Sequence, residues 1–325
     1  MPRPLAAALA GLALAVQSTG PIALALLAAA AALALVPPAR ACSICGCDPS
    51  VGSLGLDRPS KSALRVSLED RYLFKESGAG GAAEGEKEDR LLARLQWAPL
   101  TALVFQLDLP VFVFKNHFDD AGVRDFSTNG LGDASVSGRW EFLRLGGIRP
   151  KHVLALTGTL KLPTGASGLS IAGRDPDEHL QRGTGTFDGL AGLHFTTGEL
   201  PWAFFASASG RLNGTNSRGF QYGNALFGSL GARRSFLDDS TLLVSLEAQV
   251  RVAAKDHGKD TATGAQTIDD DSGGTLGYAT AGVAWAFLPD FLLRGTVQIP
   301  VVKALNGAQS EHPVAYLSIA YDFEL

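Results

Sequence analysis

The sequence predicts an all-β chain: a closed, up-and-down antiparallel transmembrane β-barrel of about twelve strands behind an N-terminal signal peptide. Three observations predict it. From Lys61 onward, apolar residues recur at every second position through segment after segment, which is the period of a strand. The polar breaks between segments alternate between short and long, as a meander with tight turns at one end and loops at the other requires. After the leader no apolar run reaches the roughly 20 residues of a spanning helix, so a crossing must use strands. In hydrocarbon such a sheet has to close, because an open edge leaves backbone groups without partners.

The leader occupies 1–41. Arg3 precedes two Ala/Leu-rich runs, Leu5 to Val16 and Ile22 to Val36, and Pro37-Pro38-Ala39-Arg40-Ala41 follows. A basic start, an apolar stretch and an A-x-A-like end predict a secretory signal peptide cleaved after Ala41. Removing Arg3 and Arg40 takes the 28 basic residues to 26, against 32 acidic ones. That balance does not favour nucleic acid, which wants a basic face, so no nucleic-acid partner is expected. Residues 42–60 form a separate periplasmic segment, and 61–325 the barrel.

Twelve segments carry the alternation, roughly 62–75, 90–98, 101–115, 131–144, 151–163, 187–196, 201–213, 223–235, 240–254, 275–288, 291–303 and 313–325. In the clearest, Leu242, Val244, Leu246, Ala248, Val250 and Val252 share one face, while Ser245, Glu247, Gln249 and Arg251 share the other. Leu103, Phe105, Leu107, Leu109, Val111 and Val113 repeat the pattern, as do Leu293, Gly295, Val297, Ile299 and Val301. Short connections fall near Ala98 to Leu100, Leu145 to Pro150, Thr197 to Leu200, Leu237 to Asp239 and Pro289-Asp290. Long polar ones fill Glu76 to Asp89, Asn116 to Gly130, Thr164 to Thr186, Gly214 to Tyr222, Lys255 to Gly274 and Ala304 to His312. Six long outer loops and five short periplasmic turns put both termini in the periplasm of an outer-membrane protein. Pro110, Pro163 and Pro300 are expected near the outer rim, where the ladder of backbone hydrogen bonds ends. Strict alternation points Asp70 at lipid, where a charge is costly, so a bulge or register slip is expected there.

With the apolar face on lipid, the other face lines the lumen. The pore-lining candidates are Arg65, Arg94, Asp108, Arg139, Glu141, Lys161, Arg211, Glu247, Arg251 and Arg294, joined by Arg71, Arg233, Glu69, Asp133, Asp188, Asp322 and Glu324. Mixed charge fits either a polar pore for a small-molecule solute or a salt-bridged filling that stabilises the wall. Twelve strands lie between filled eight-stranded barrels and 16-stranded porins, so size does not choose. The acidic runs Asp269-Asp270-Asp271 and Glu84 to Asp89 are either solvated loops or calcium ligands.

All three cysteines fall in Cys42-Ser43-Ile44-Cys45-Gly46-Cys47. A C-x-x-C-x-C segment fits a soft-metal site formed by Cys42, Cys45 and Cys47, a disulfide in an oxidising compartment, or lipidation of Cys42. A metal or redox partner held there would make the barrel an anchored scaffold, the alternative to passive transport. None of the six histidines has a Ser and acid partner at motif spacing, so no catalytic residue and no enzyme is expected.

Ala315 to Leu325 reads A-Y-L-S-I-A-Y-D-F-E-L, with Ala315, Leu317, Ile319, Tyr321, Phe323 and Leu325 on one face. It resembles the C-terminal signature of outer-membrane barrels, the strand that the assembly machinery reads. Gly130-Leu131-Gly132-Asp133 and Leu160-Lys161-Leu162-Pro163-Thr164-Gly165 resemble the MetA-pathway phenol-degradation, or "transporter", family of outer-membrane barrels over roughly Lys61 to Leu325. That resemblance implies a channel for small, often hydrophobic molecules and carries over no site residues.

Overall fold

The computed structural model describes residues 63–77, 84–119, 122–147, 150–170, 177–237, 241–259 and 263–324. The strands in chain order are β1 (Ala63–Ser77), β2 (Glu84–Leu100), β3 (Leu103–Phe118), β4 (Arg124–Gly130), β5 (Ser135–Leu145), β6 (His152–Lys161), β7 (Asp188–Glu199) and β8 (Trp202–Leu212). They continue with β9 (Ala225–Phe236), β10 (Leu242–Ala253), β11 (His257–Lys259), β12 (Gln266–Ile268), β13 (Gly274–Leu288), β14 (Phe291–Leu305), β15 (Gln309–Glu311) and β16 (Val314–Glu324). Twelve form the wall, all antiparallel in β-meander order. The ring closes because β1 pairs with both β2 and β16. The remaining four decorate the long-loop end. β4 continues the line of β5 along the upper part of β3, β11 and β12 make a small hairpin, and β15 pairs with the last residues of β1.

The alternation read from the sequence becomes an inside and an outside. On β10, Leu246 is 66% exposed and points out, while Ser245, Glu247 and Gln249 are buried on the inner face. All four tryptophans, Trp97, Trp140, Trp202 and Trp285, are exposed on the outside near the short-turn ends of their strands. Trp97 stacks with Phe105 and Trp202 with Phe204, and the chain Trp285, Phe287, Phe291, Tyr321, Phe323 continues the belt with ring centroids 4.6–5.8 Å apart. Amphipathic rings in such a girdle match a membrane–water interface.

Three expectations need correction. Pro163 follows the end of β6, but Pro110 and Pro300 do not end their strands, since β3 runs on to Phe118 and β14 to Leu305. Each instead sits at a one-residue bulge. Leu91 faces Phe112 while Leu92 faces Pro110, and Gly277 faces Val302 while Tyr278 faces Pro300. The position left without a partner is the next one, Val111 or Val301, so each proline flanks an interruption of the ladder, where a missing N–H is tolerated. The bulge also exchanges the two faces of the strand beyond it, so Val113 is buried inside rather than lying with Val111 on the outer face.

Asp70, where the slip was expected, has continuous ladders on both sides, opposite Leu317 and Leu91. Its side chain stays outside and exposed, one step from Asp89, which faces Tyr72. A charge is tolerated on a lipid-facing wall only near the interface, so the apolar band on these two strands ends at this height.

The first two long connections are also shorter than expected. Residues 84–89 belong to β2 and 124–130 to β4, so β1 to β4 project beyond their neighbours. Their ladders carry charged side chains with aromatic cover, such as the Lys87 ammonium 4.8 Å from the Phe118 ring centre.

Candidate functional site: the charged inner wall

The inner face of β16, β1, β2 and β3 is a ladder of ion pairs. Arg65 clamps Asp322 with two hydrogen bonds, at 2.6 and 2.7 Å. Arg94 donates to Asp108 at 2.7 Å and lies 3.7 Å from Glu69. Gln106 donates to the second Asp108 oxygen at 2.8 Å, and Gln96 to Gln106 at 2.9 Å. Higher up, Arg71 pairs with Glu88, and Lys115 lies 3.6 Å from Glu88 and 3.7 Å from Glu86. The planar guanidinium fork explains the choice of Arg where two carboxylate oxygens are gripped at once.

The adjoining wall is built differently. On β10, β13, β14 and β16 the inner face carries, beside the buried Glu247 and Arg294, an amide and phenol network: Gln298 donates to Gln249 at 2.6 Å and Tyr316 to Gln298 at 2.9 Å. It ends at Glu311, which accepts from Arg251 at 2.7 Å and from Tyr278 at 2.5 Å. Burial pushes the Glu311 carboxyl up, but the Arg251 and Lys75 charges and the Tyr278 hydrogen bond outweigh it and hold the group below the usual carboxylate range. Between these sectors, β6 to β9 present small and hydroxyl-bearing groups inward. Ser137 and Thr159 are 2.9 Å apart, Ser207 and Ser229 2.7 Å, and Gly192 packs directly against Ser209.

Arg65, Glu141, Lys161, Arg211, Glu247 and Arg294 are buried, and Arg94, Asp108, Arg139 and Arg251 half-buried, on the strand face opposite the exposed apolar one. Arg139 and Arg144 both approach Glu141, at 3.8 and 3.3 Å, where a bulge on β5 interrupts its pairing with β6. The Arg211 guanidinium covers the Phe227 ring at 5.6 Å, and Glu247 and Arg294 are buried in the wall. Cys42, Cys45 and Cys47 lie outside the described residues.

Lys161 anchors a node that joins the two family-like motifs. Its ammonium lies 2.9 Å from Asp133 and 2.8 Å from Asp188, also bonding Thr184. Asp133 in turn accepts the Gly165 N–H at 2.9 Å and the Thr184 N–H at 2.8 Å. The Thr164 hydroxyl donates to the Gly132 carbonyl at 3.0 Å and accepts the Ala134 N–H at 2.7 Å. Gly132 donates its own N–H to Pro110, at the β3 bulge, and a Cβ there would lie 2.8 Å from Val113. Gly165 and Gly183 approach so closely that a Cβ on Gly183 would lie 2.5 Å from the Gly165 carbonyl oxygen. The segment Gly130 to Asp133 therefore joins the end of β4 to the start of β5 and receives the motif that closes β6.

Lys115, Glu88, Glu311, His179 and Asp256 belong to the inner wall or its mouth and were not among the candidates. Lys115 was hidden by the Pro110 bulge, which reverses its face. Glu88 and Glu311 lay in segments whose polarity reads as loop.

No protein-family model matches the chain, and no curated protein matches it in sequence. Among solved structures, an outer membrane channel from Pseudomonas putida F1 superposes with a TM-score of 0.61 at 13% identity, covering 82% of this chain and 98% of that one. The transport unit of the autotransporter AIDA-I from Escherichia coli gives 0.47 at 13% identity over 84% of this chain and 94% of that one. The fold is that of an outer-membrane barrel.

Proposed function

We propose that this chain is an outer-membrane channel that admits a small molecule, of the hydrophobic or aromatic class that its motif resemblance implies. One observation carries the reading: a closed twelve-strand ring with an apolar, tryptophan-belted outside and a charged inside. Only a barrel in lipid gains from that inversion, since a soluble barrel would bury its leucines and expose its arginines. The similarity to a channel along nearly its whole length supports the same reading.

In this scheme 1–41 is removed on export, 42–60 stays in the periplasm with both termini, and the long-loop end faces outward. The C-terminal strand, which lies between β1 and β14, is what the assembly machinery reads as it closes the ring. The solute's lane follows β6 to β9, where Thr157, Thr159, Ser207, Ser209 and Ser229 form an uncharged stretch between Lys161, Asp188 and Arg211 at one end and Arg233 at the other. The ion-pair ladder of β1 to β3 flanks it.

Purified, folded protein in a planar bilayer tests this. Stepwise conductance, with uptake of small aromatic solutes into vesicles carrying it, is the expected result. A folded barrel that shows neither overturns the proposal.

A further inference from the structure

Two acidic side chains and an imidazole meet at the long-loop mouth. Asp256 directly precedes β11 and Asp269 directly follows β12, so the pairing of His257 with Ile268 sets both aspartates at the base of one hairpin. The Asp269 N–H donates to the Asp256 carbonyl at 3.0 Å. Asp256 has no exposed surface; its Oδ1 accepts the Gly223 N–H at 2.7 Å, and its own N–H donates to Ser272 Oγ at 2.8 Å. Its Oδ2 lies 3.3 Å from Nε2 of His179.

His179 arrives from a different connection, the one between β6 and β7, in a short 3-10 turn (Glu178–Leu180) capped by Asp177. It is 8% exposed and wedged edge-on between the rings of Phe220 and Tyr222, with centroids 5.8 and 5.4 Å away. The turn is fixed from the wall side as well, by Lys115 Nζ donating to the His179 carbonyl and the Tyr222 hydroxyl donating to Glu178 O at 2.8 Å. The other ring nitrogen, Nδ1, is buried without a hydrogen-bond partner, so the polar contacts of this ring are made toward the carboxylates.

We propose that His179, Asp256 and Asp269 form a binding site for a divalent transition-metal ion of the zinc class, which clasps the β6–β7 connection to the β10–β13 connection. One donor atom from each residue lies within 4.8 Å of the others. Two carboxylates and an imidazole held this close offer two oxygen donors and one nitrogen donor to a single cation. The 3.3 Å separation of imidazole nitrogen and carboxylate oxygen is that of neighbouring ligands on a tetrahedral ion, which at bonds of 2.0–2.2 Å stand roughly 3.4 Å apart. A mixed nitrogen and oxygen donor set suits zinc and its neighbours, whereas calcium takes oxygens alone. The site does not depend on the channel reading.

The test uses the full chain with Cys42, Cys45 and Cys47 changed to Ser, so that thiols do not take the metal. After chelator treatment, zinc titration is expected to load one ion per chain at this site, raise the unfolding temperature and slow proteolysis between β10 and β13. His179→Gln and Asp269→Asn should each weaken binding by more than about tenfold. Asp269 is only half-buried, so its variant decides the matter if the His179 variant does not fold. Absence of zinc binding by the folded thiol-free chain, or binding by the folded variants as tight as that of the thiol-free parent, overturns the site and leaves an imidazole–carboxylate pair with no metal. Neither result bears on conductance.

Discussion

Lys161→Met is expected to destabilise the folded barrel by about 3–5 kcal/mol, the range for removing one partner from a buried ion pair. The side chains of Lys161, Asp133 and Asp188 are only 6, 7 and 5% exposed, so the two carboxylates left behind have little access to water. Asp133 would keep its bonds from Gly165 and Thr184, and Asp188 its bonds from Thr186 and Gly214, but each negative charge would lose its counterion. The loss comes from burying unmatched charge rather than from deleting a contact. Adding Asp133→Asn and Asp188→Asn to Lys161→Met should therefore recover more than half of it. Urea unfolding in vesicles measures both, and a loss below about 1 kcal/mol would mean that water already reaches the node.

Leu246→Arg is the second large effect. Leu246 sits near the middle of β10, 66% exposed on the outer face, and an arginine at a bilayer midplane costs about 2–4 kcal/mol. Replacing so exposed a leucine on a water-soluble protein would change stability by within about 0.5 kcal/mol. The sign of the solvent around β10 is thus read directly from one substitution, by urea unfolding in phospholipid vesicles. A near-neutral result would place this face in water.

The strand count and the two faces were legible because the membrane imposes a rule on every second residue of every wall strand. β10 shows it best: apolar and polar positions divide cleanly, and the structure divides them the same way. Local pattern failed wherever pairing is decided between strands. Nothing in β1 alone says that its register is unbroken at Asp70 while the slip falls at Pro110, two strands away. The bulge is set by the β2–β3 ladder, and alternation within one strand does not see it. Beyond the apolar band the hydrophobic signal vanishes although the strands continue, so Glu84 to Asp89 reads as loop and is sheet.

The candidate wall was readable for the same reason as the fold, since charge on the inner face is simply the other half of the alternation. Its partners were not. The pairing of Arg251 with Glu311 joins residues 60 apart in sequence, and that of Arg65 with Asp322 joins the two ends of the barrel. The two motifs that carry the family resemblance looked independent in sequence. Their interlock through Gly132, Asp133, Lys161 and Thr164 needs β5 and β6 in register and the Pro110 bulge in place.

The most direct test of the central claim, that the apolar outside of this ring meets lipid, is tryptophan fluorescence in vesicles. The chain has four tryptophans, and all four stand on the outer face in a belt at the short-turn end. Lipids brominated near the headgroup are predicted to quench this emission strongly, lipids brominated deep in the chain weakly, and iodide in the water little. Strong quenching by iodide with none by brominated lipid would contradict the account and leave a barrel that does not sit in a membrane.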